Sequence, residues 1–363
     1  MIDRYQFKNM DWILVVLLLL NTIIGVVFIY SSSHHLPGNY YLKQIFWIVL
    51  SLIALFLFVS LDYKFLTAYS FYLYIMLVIL LVWMLFFGKQ VAGTRSWIKF
   101  PVFQVQPSEL MKVVLILVLA QSFSHFRKDS LTRNKLFLSA SLVAVPVVLV
   151  GLQPDLGTAL SYLPILLACF LLVGLNRKII ISLLIFAFLL GIGGWNLGLR
   201  DYQKKRLEVL LYPAHDPLGA GYHIQQSKIA IGSGGFLGKG YKKGTQSQLR
   251  FLPARHTDFI FSVIGEESGF LGVAGVLLIY FLLLSRLFLS VKKSRDRAGV
   301  YIAFMVAVMI SAQFFINIFM IIGLFPIAGI PLPLLSYGGS SLLTTYLSIS
   351  LVLNVKMRRF VNV

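Results

Sequence analysis

Acidic side chains are scarce in this sequence. Its 363 residues include 13 Asp and Glu, and charged residues make up 12% of the chain, whereas 58% of the residues are hydrophobic. A soluble domain carries about 25% charged residues, so the composition excludes an ordinary soluble enzyme. The apolar excess must face lipid rather than water, and the sequence therefore predicts a membrane protein.

Cysteine is almost absent as well. Cys169 is the single cysteine, so no intramolecular disulfide can form, and its apolar surroundings predict a packed side chain rather than redox chemistry. The six histidines show neither metal-ligand spacing nor a convincing Ser-His-Asp order. A structural metal site and a hydrolase triad are therefore disfavoured.

Positive charge, by contrast, is abundant. The chain has 32 Lys and Arg and a net charge of +19. In a membrane protein this excess predicts basic cytoplasmic loops and a site for an anionic ligand, and nucleic acid is not an expected partner.

Apolar runs of spanning length recur along the chain. The first, 12–30, has aromatic residues at both ends and no signal-peptide cleavage pattern. The predicted spans are 12–30, 43–60, 65–87, 109–124, 136–152, 156–174, 178–198, 259–285, 299–322 and 336–355. The sequence thus predicts an all-α polytopic membrane protein of about ten transmembrane helices that forms a single domain over 1–363.

The distribution of Lys and Arg predicts the orientation. Short loops on one side collect most of them, which places that side and both termini in the cytoplasm. The long basic loop 199–258 must then lie outside, and long loops do escape this charge rule. Two stretches within it, 201–211 and 222–231, mix basic with apolar residues and predict short helices at the membrane interface.

Five of the 13 acidic residues lie in or near the predicted cytoplasmic loops. The other eight lie on the outer side or in the membrane just below the outer surface, which favours a site that faces outward. Asp258 lies where the basic loop enters a long apolar helix. It is interpreted either as the N-cap of that helix or as a general base that removes a proton from a hydroxyl nucleophile. The nearby Arg250 and Arg255 suit an anionic ligand.

Two further acidic motifs lie in predicted spans. Glu266 and Glu267 are expected about 12 Å deeper in the membrane than Asp258, as structural ion-pair partners or as part of the chemistry, with Lys112 a candidate partner. Glu109 and Lys112 are three residues apart on one helical face, behind a predicted Ser108 cap. They form either a simple ion pair or part of a cavity that binds phosphate.

Several loop motifs have two interpretations each. In Gln153-Pro-Asp-Leu-Gly-Thr158, Asp155 caps a helix or contributes to a cavity. The segment 232–240 is rich in glycine but fails the P-loop pattern, so it is either a flexible loop or an anion-binding nest with Lys239. Arg95 lies on an outer loop and suits membrane-interface anchoring, and 329–341 combines prolines with small residues in a rigid re-entrant turn.

Taken together, the motifs 106–112, 153–158, 221–240, 256–267 and 329–341 resemble the SEDS family (shape, elongation, division and sporulation) in order and position. The resemblance covers nearly the whole chain and is closer to the elongation branch than to the division branch. It implies a ten-helix peptidoglycan glycosyltransferase that polymerises lipid II into β-1,4-linked glycan and releases polyprenyl diphosphate. Ser96 departs from the Arg that many relatives have at this position.

The resemblance also implies site residues and partners. It places the catalytic residue at Asp258 and a substrate-binding polar cavity at Glu109, Lys112 and Asp155. Further substrate-binding residues are predicted from the charge and polarity of the outer loops: Arg95, Lys228, Lys239, Arg250, Arg255 and Ser336. Predicted structural or cavity residues are Glu266, Glu267, Gln153 and Thr257. The resemblance specifies no cofactor, and a divalent cation, Mg²⁺ or Mn²⁺, is left open. Expected partners are a class B penicillin-binding protein (a transpeptidase), other proteins of the elongation complex and membrane lipids.

Two rival functions remain open on the sequence. A polytopic protein with polar residues inside it could flip lipid II across the bilayer, although the repeats and midplane sites of transporters are missing from the sequence. A noncatalytic scaffold would not require Asp258 for any turnover. The outward clustering of Glu109, Asp155 and Asp258 favours catalysis.

Overall fold

A computed structural model describes residues 9–91, 94–100, 103–124, 133–174, 181, 208–210, 216 and 219–358. Helices dominate these residues, and the strands are short. The helices are α1 Trp12–Ser33, α2 Tyr40–Ser60, α3 Tyr63–Ala68, α4 Ser70–Phe87, α5 Pro107–Ser124, α6 Arg133–Leu152, α7 Leu156–Leu160, α8 Leu163–Val173, α9 Ala220–Ser233, α10 Thr245–Gln248, α11 Ile260–Lys293, α12 Arg297–Ile321 and α13 Gly339–Met357. The strands are β1 Lys89–Val91, β2 Thr94–Lys99 and β3 Gln104–Val105.

The predicted polytopic α-helical class is confirmed. Within the described residues, seven helical segments are long and apolar enough to cross a membrane, and 136–152 is a shorter apolar helix. α13 is a further long helix, at the position of the last predicted span. Nine of the ten predicted spans thus coincide with helices, and the remaining one, 178–198, lies outside the described residues except for residue 181.

Burial separates central from peripheral helices. α5 and α13 are buried along most of their length, whereas α2 and α4 expose many large apolar side chains. Lipid is as apolar as these side chains, so the outer faces need no protein cover. The polar groups of the central helices are instead enclosed in protein, where α13 packs against α2 and α5 packs against α4 and α12.

Four helix ends meet on the predicted cytoplasmic side. Asp11 and Lys356 form an ion pair between the start of α1 and the end of α13. Asp62, just after α2, lies 3.5 Å from Arg358, and the Tyr63 hydroxyl donates to Asp296 at 2.8 Å, before α12. These contacts place the first and last described helices with their terminal ends on the same side, as the predicted topology requires.

A small sheet replaces part of the outer loop between α4 and α5, which the all-helical prediction did not include. β1 and β2 pair antiparallel with Lys89 opposite Trp97, and β2 pairs with β3 through Ile98 opposite Val105. The sheet supplies paired backbone groups to a segment that links two spans.

The long outer loop contains the helices predicted there as far as it is described. α9 covers the predicted helix 222–231, and it packs against α11 instead of lying free at the interface. Of the predicted helix 201–211, only 208–210 are described, and they are helical.

α11 is broken at Gly269, whose φ of 63° and ψ of −159° are not helical. A straight helix from Ile260 to Tyr280 would be about 30 Å long. However, the Tyr280 hydroxyl donates to the Pro333 carbonyl, and Ser336 donates to Thr257, just before α11. Because both ends of this stretch contact the same short turn, the two halves of α11 are not collinear.

A glycine-rich segment satisfies the backbone groups that the break leaves unpaired. The carbonyls of Glu266 and Glu267 accept from the amides of Lys239 and Gly240, both at 3.0 Å. Beyond the break, the amides of Phe270 and Leu271 donate to the carbonyls of 235 and 236 at 2.9 and 3.2 Å. The four bonds join 235–240 to both halves of α11, so this segment is neither a flexible loop nor a free anion-binding nest.

Replacing Gly269 by Ala should destabilise the protein. The added Cβ would lie 2.3 Å from the Gly238 nitrogen and would require a left-handed backbone. The left-handed conformation alone costs about 1–2 kcal/mol, and the clash adds to it. Gly275→Ala in the same helix is the control, because its Cβ would meet no atom within 4 Å. Thermal unfolding in detergent should show a lower midpoint for Gly269→Ala only, and equal midpoints would contradict the role given to the break.

Candidate active site

Asp258 lies at the end of the long outer loop, directly before α11, and its side chain is partly exposed. The N-cap of α11 is Phe259, which makes no side-chain capping bond. The capping interpretation of Asp258 is therefore wrong, since the helix begins one residue too late for it. The interpretation as a general base remains.

The backbone around Asp258 is held by three neighbouring groups. The His256 carbonyl accepts from the Tyr337 amide at 2.8 Å, and the Thr257 carbonyl accepts from the Ser336 hydroxyl at 2.5 Å. The Asp258 carbonyl accepts from the Asn317 amide nitrogen at 3.1 Å. Three consecutive carbonyls are thus fixed, so the position of Asp258 is set by α12 and by the segment that precedes α13.

The predicted turn 329–341 is packed as expected. Gln44 on α2 bonds both the Ser336 carbonyl and the Gly338 amide, at 3.4 and 3.3 Å. A Cβ on Gly25 of α1 would lie 2.7 Å from the Leu335 carbonyl oxygen. Ser336, predicted to bind substrate, accepts from the Leu332 amide and donates to Thr257, which gives it a structural role in this turn.

A second polar group lies at the start of α5. Lys112 and Glu109 form an ion pair at 2.7 Å, and Lys112 is only 1% exposed. The predicted pair is therefore confirmed and buried. The predicted Ser108 cap is wrong, because α5 begins at Pro107 and the Ser108 hydroxyl is buried without a hydrogen-bond partner among the described residues.

Asp155 belongs to the same group. Its Oδ1 accepts from the Thr158 amide at 3.2 Å, which confirms the predicted cap, and its Oδ2 accepts from Gln106 at 2.7 Å. The Gln106 backbone amide in turn donates to the Ser340 hydroxyl at 2.9 Å. Gln153 donates to the Leu81 carbonyl at 2.9 Å and fixes the loop before Asp155 to α4.

One segment joins the two polar groups. Ser336 donates to the Thr257 carbonyl, and Ser340 accepts from the amide of Gln106, whose side chain binds Asp155. Four residues of chain span at most about 14 Å. The structure thus brings the Asp258 segment and the group of Glu109, Lys112 and Asp155 to neighbouring positions on a single turn.

Glu266 and Glu267 lie elsewhere, and their predicted depth and partner are wrong. Glu267 accepts from Ser31 at 2.6 Å, near the outer end of α1. Glu266 pairs with Lys239 at 2.9 Å and accepts from the amides of Gln246 and Ser247, at 2.8 and 3.0 Å. The break in α11 redirects the chain, so these carboxylates lie at the outer end of the bundle rather than deep in the membrane beside Lys112.

The remaining predicted basic residues are dispersed. Arg255 is buried and donates to the Ser247 carbonyl. Arg95 is exposed and its guanidinium lies 3.5 Å from the Leu85 carbonyl. Lys228 and Arg250 are exposed on α9 and after α10. Lys239 is used by Glu266, so the described structure does not gather these residues into one phosphate-binding cluster.

Three residues that the sequence analysis did not select complete the site: Gln106, Asn317 and Ser340. Asn317 is the most identifiable of them, because an amide within an apolar span is costly and usually has a specific partner. The contacts of Gln106 and Ser340 depend on residues far away in the sequence and left no comparable signal.

The described residues contain no group of three or more His, Cys, Asp or Glu that could hold a metal ion. In the polar group at α5, Glu109 Oε2 is buried without a hydrogen-bond partner in the described structure. Mg²⁺ commonly binds through one or two carboxylates together with substrate phosphates. The residues therefore fit a cation shared with a diphosphate, not one enclosed by protein ligands alone.

Replacing Lys112 by Met should leave the Glu109 charge buried and uncompensated. Removing one partner of such a pair costs about 3–5 kcal/mol. Adding Glu109→Gln in the same chain should recover much of the loss in thermal unfolding. Lys64→Met, at an exposed position, is the matched control, and a Lys112→Met protein as stable as this control would contradict the buried pair.

A second prediction concerns pH. Burial, and then the charge of Arg255, lower the pKa of the His256 imidazole to about 4. The folded state therefore favours the neutral ring, and its contribution to stability is complete above about pH 6.5, declines as the pH falls to about 4 and then stays constant. The loss corresponds to about 3 kcal/mol. Unfolding measured from pH 8 to 4 should show a flatter curve for His256→Gln, whereas parallel curves would contradict the shift.

The family model and similar curated proteins match the same family. The family model for FtsW, RodA and SpoVE, described as "Cell cycle protein", matches residues 11–360. Peptidoglycan glycosyltransferase MrdB of Escherichia coli K12 is 39% identical over 289 residues, which cover 79% of this chain and 78% of that protein. Peptidoglycan glycosyltransferase RodA of Treponema pallidum is 33% identical, over 97% and 98% of the two chains.

Solved structures also match. A chain from a peptidoglycan synthase complex that coordinates polymerization and crosslinking has a TM-score of 0.82 at 33% identity, covering 97% of this chain and 98% of that one. The rod shape determining protein RodA of Thermus thermophilus has a TM-score of 0.73 at 30% identity, with the same coverage.

Proposed function

The chain belongs to the FtsW, RodA and SpoVE family and is a peptidoglycan glycosyltransferase, and we propose that Asp258 is its general base. The observation that carries this proposal is the fixed backbone of 256–258. It attaches a partly exposed carboxylate to the turn 336–340, and the other end of this turn contacts the buried polar group that includes the Lys112 ammonium. A base requires a fixed position within reach of its proton, and both features suit that role.

The proposed reaction is a direct displacement on lipid II. The Asp258 carboxylate takes the proton of the acceptor GlcNAc 4-hydroxyl, whose oxygen attacks the anomeric carbon of the donor MurNAc. The bond from that carbon to the diphosphate oxygen breaks, and polyprenyl diphosphate leaves with the electron pair. The configuration inverts, and a β-1,4 bond forms between the sugars.

Charge on the leaving diphosphate must be stabilised as it develops. Lys112 is the buried cation beside Glu109 and Asp155, and preorganised charges in a site that excludes water are the strongest source of such stabilisation. A divalent cation, Mg²⁺ or Mn²⁺, would be held by the Glu109 carboxylate and would supply Lewis-acid assistance to the departing diphosphate. Arg95, Lys228, Arg250 and Arg255 are proposed to attract the anionic substrate from the outer side.

The proposal also covers the membrane location, orientation and partner of the enzyme. The protein is a multi-pass membrane protein. We place it in the bacterial cytoplasmic membrane with Asp258 facing outward, because the Lys and Arg of short loops lie on the other side. A relative belongs to a peptidoglycan synthase complex that coordinates polymerization and crosslinking, which supports a crosslinking partner. We propose that this partner is a class B penicillin-binding protein and that the pair acts in cell elongation.

Replacing Asp258 by Asn or Ala should abolish glycan synthesis. Purified wild type, with and without its candidate transpeptidase partner, should convert labelled lipid II into long strands that a gel resolves. Both variants should yield none while still binding labelled lipid II, since the loss of a general base costs about 10²–10⁴-fold in rate. Asp62→Asn, at the opposite end of the bundle, is the matched control and should retain activity.

Equal product from wild type and both Asp258 variants would remove this residue from the mechanism. If no form of the protein makes glycan, even with the partner, and lipid II moves between the leaflets of liposomes that contain it, the protein acts as a flippase under these conditions. If glycan forms only when the transpeptidase partner is present, contact with the partner is required for activity.

A further inference from the structure

Asn317 is a buried amide in an otherwise apolar stretch of α12. Its side chain is 0% exposed, and it follows Phe314 and Phe315 and precedes Phe319. A polar side chain inside a span is costly unless it is satisfied, so such a residue usually has a specific partner. The amide nitrogen has two partners, since it donates to the Asp258 carbonyl at 3.1 Å and to the Ile330 carbonyl at 2.9 Å. The amide oxygen is buried without a hydrogen-bond partner among the described residues.

Neither of these carbonyls lies in a regular helix. Asp258 precedes α11, and the first amides of that helix, those of Ser262 and Val263, bond to the Phe259 carbonyl instead. Ile330 lies in the irregular chain between α12 and α13. A single side chain therefore binds two irregular segments to each other and to a long, rigid helix.

The other two bonds to this stretch come from the segment before α13. The Tyr337 amide binds the His256 carbonyl, and the Ser336 hydroxyl binds the Thr257 carbonyl. Asn317 thus provides the bond to residue 258 itself, from a different element. Ile330, Ser336 and Tyr337 lie in the same segment, 330–337. The bond from Asn317 to the Ile330 carbonyl therefore also fixes the segment whose Ser336 and Tyr337 bind the Thr257 and His256 carbonyls.

We propose that Asn317 is a positioning residue for Asp258. It acts through the backbone: its amide fixes the 258 carbonyl relative to 330–337, and so sets the distance between the carboxylate and the acceptor hydroxyl. This inference rests on the proposed function of Asp258. A displacement of about 1 Å at a reacting group can lower the rate about 100-fold without any loss of binding.

The test uses the full-length protein in a lipid II polymerisation assay that gives kcat and KM separately. Asn317→Leu keeps a branched side chain of similar size and removes both donors. We expect kcat to fall about 10- to 100-fold, with KM for lipid II close to the wild-type value. The unfolding midpoint should be lower because two buried carbonyls lose their donor, so the assay is run below the midpoint of the variant. Asn317→Gln keeps the amide donor on a longer side chain and should recover part of kcat.

Gln313→Leu is the matched control, since it replaces a buried amide one turn earlier on α12. The Gln313 side chain makes no hydrogen bond to 256–258 in the part of the chain that the structure describes. It should leave kcat near wild type. An unchanged kcat in Asn317→Leu, an equal fall in Gln313→Leu, or a rise in KM with constant kcat would each overturn the inference.

The Asp258→Asn variant, measured in the same assay, separates this inference from the proposed function. Full activity of Asp258→Asn would overturn both, because no base would then need positioning. Loss of activity in Asp258→Asn together with wild-type kcat in Asn317→Leu would overturn only the role of Asn317.

Discussion

The structure depends on one constraint: a buried backbone N–H or C=O group must have a hydrogen-bond partner, because burial removes the water that would otherwise supply one. α11 breaks at Gly269, and a break exposes such groups on both sides. The glycine-rich segment 235–240 provides their partners through four backbone bonds. The segment thus allows the two halves of α11 to point in different directions. This change of direction brings the residues just before α11, including Asp258, to the turn 329–341.

A related constraint limits the number of acidic residues, because a buried carboxylate also needs hydrogen-bond donors or a cation as partners. Each buried carboxylate described near the outer side has assigned donors: Glu109 has Lys112, Glu266 has Lys239 and two backbone amides, and Glu267 has Ser31. These groups hold elements together. Asp258 differs in that it is partly exposed and in that Asn317 holds its backbone carbonyl. The fold thus attaches the Asp258 segment to the same turn, 336–340, that contacts the polar group with the buried Lys112.

Residue spacing was informative wherever an interaction is local in the sequence. The Glu109 and Lys112 pair and the Asp155 cap connect residues three positions apart, so helical geometry alone predicts them. The depth of Glu266 is mispredicted because the sequence suggests that the first half of α11 runs in the membrane-crossing direction of the second half. The non-helical Gly269, which separates the two directions, lies after Glu266 in the chain. Nothing near Glu266 in the sequence indicates that its partner would be Lys239.

The sequence by itself determined the lipid-facing architecture, the number and order of most spans, and the candidate acid. Those features follow from composition and from hydrophobic length, which each segment carries alone. The tertiary structure decided which polar groups meet: the four bonds across the break in α11, the contacts of Ser336 and Ser340 with two distant segments, and the two bonds of Asn317. Such contacts join residues far apart in the chain, and their geometry exists only once the helices have packed.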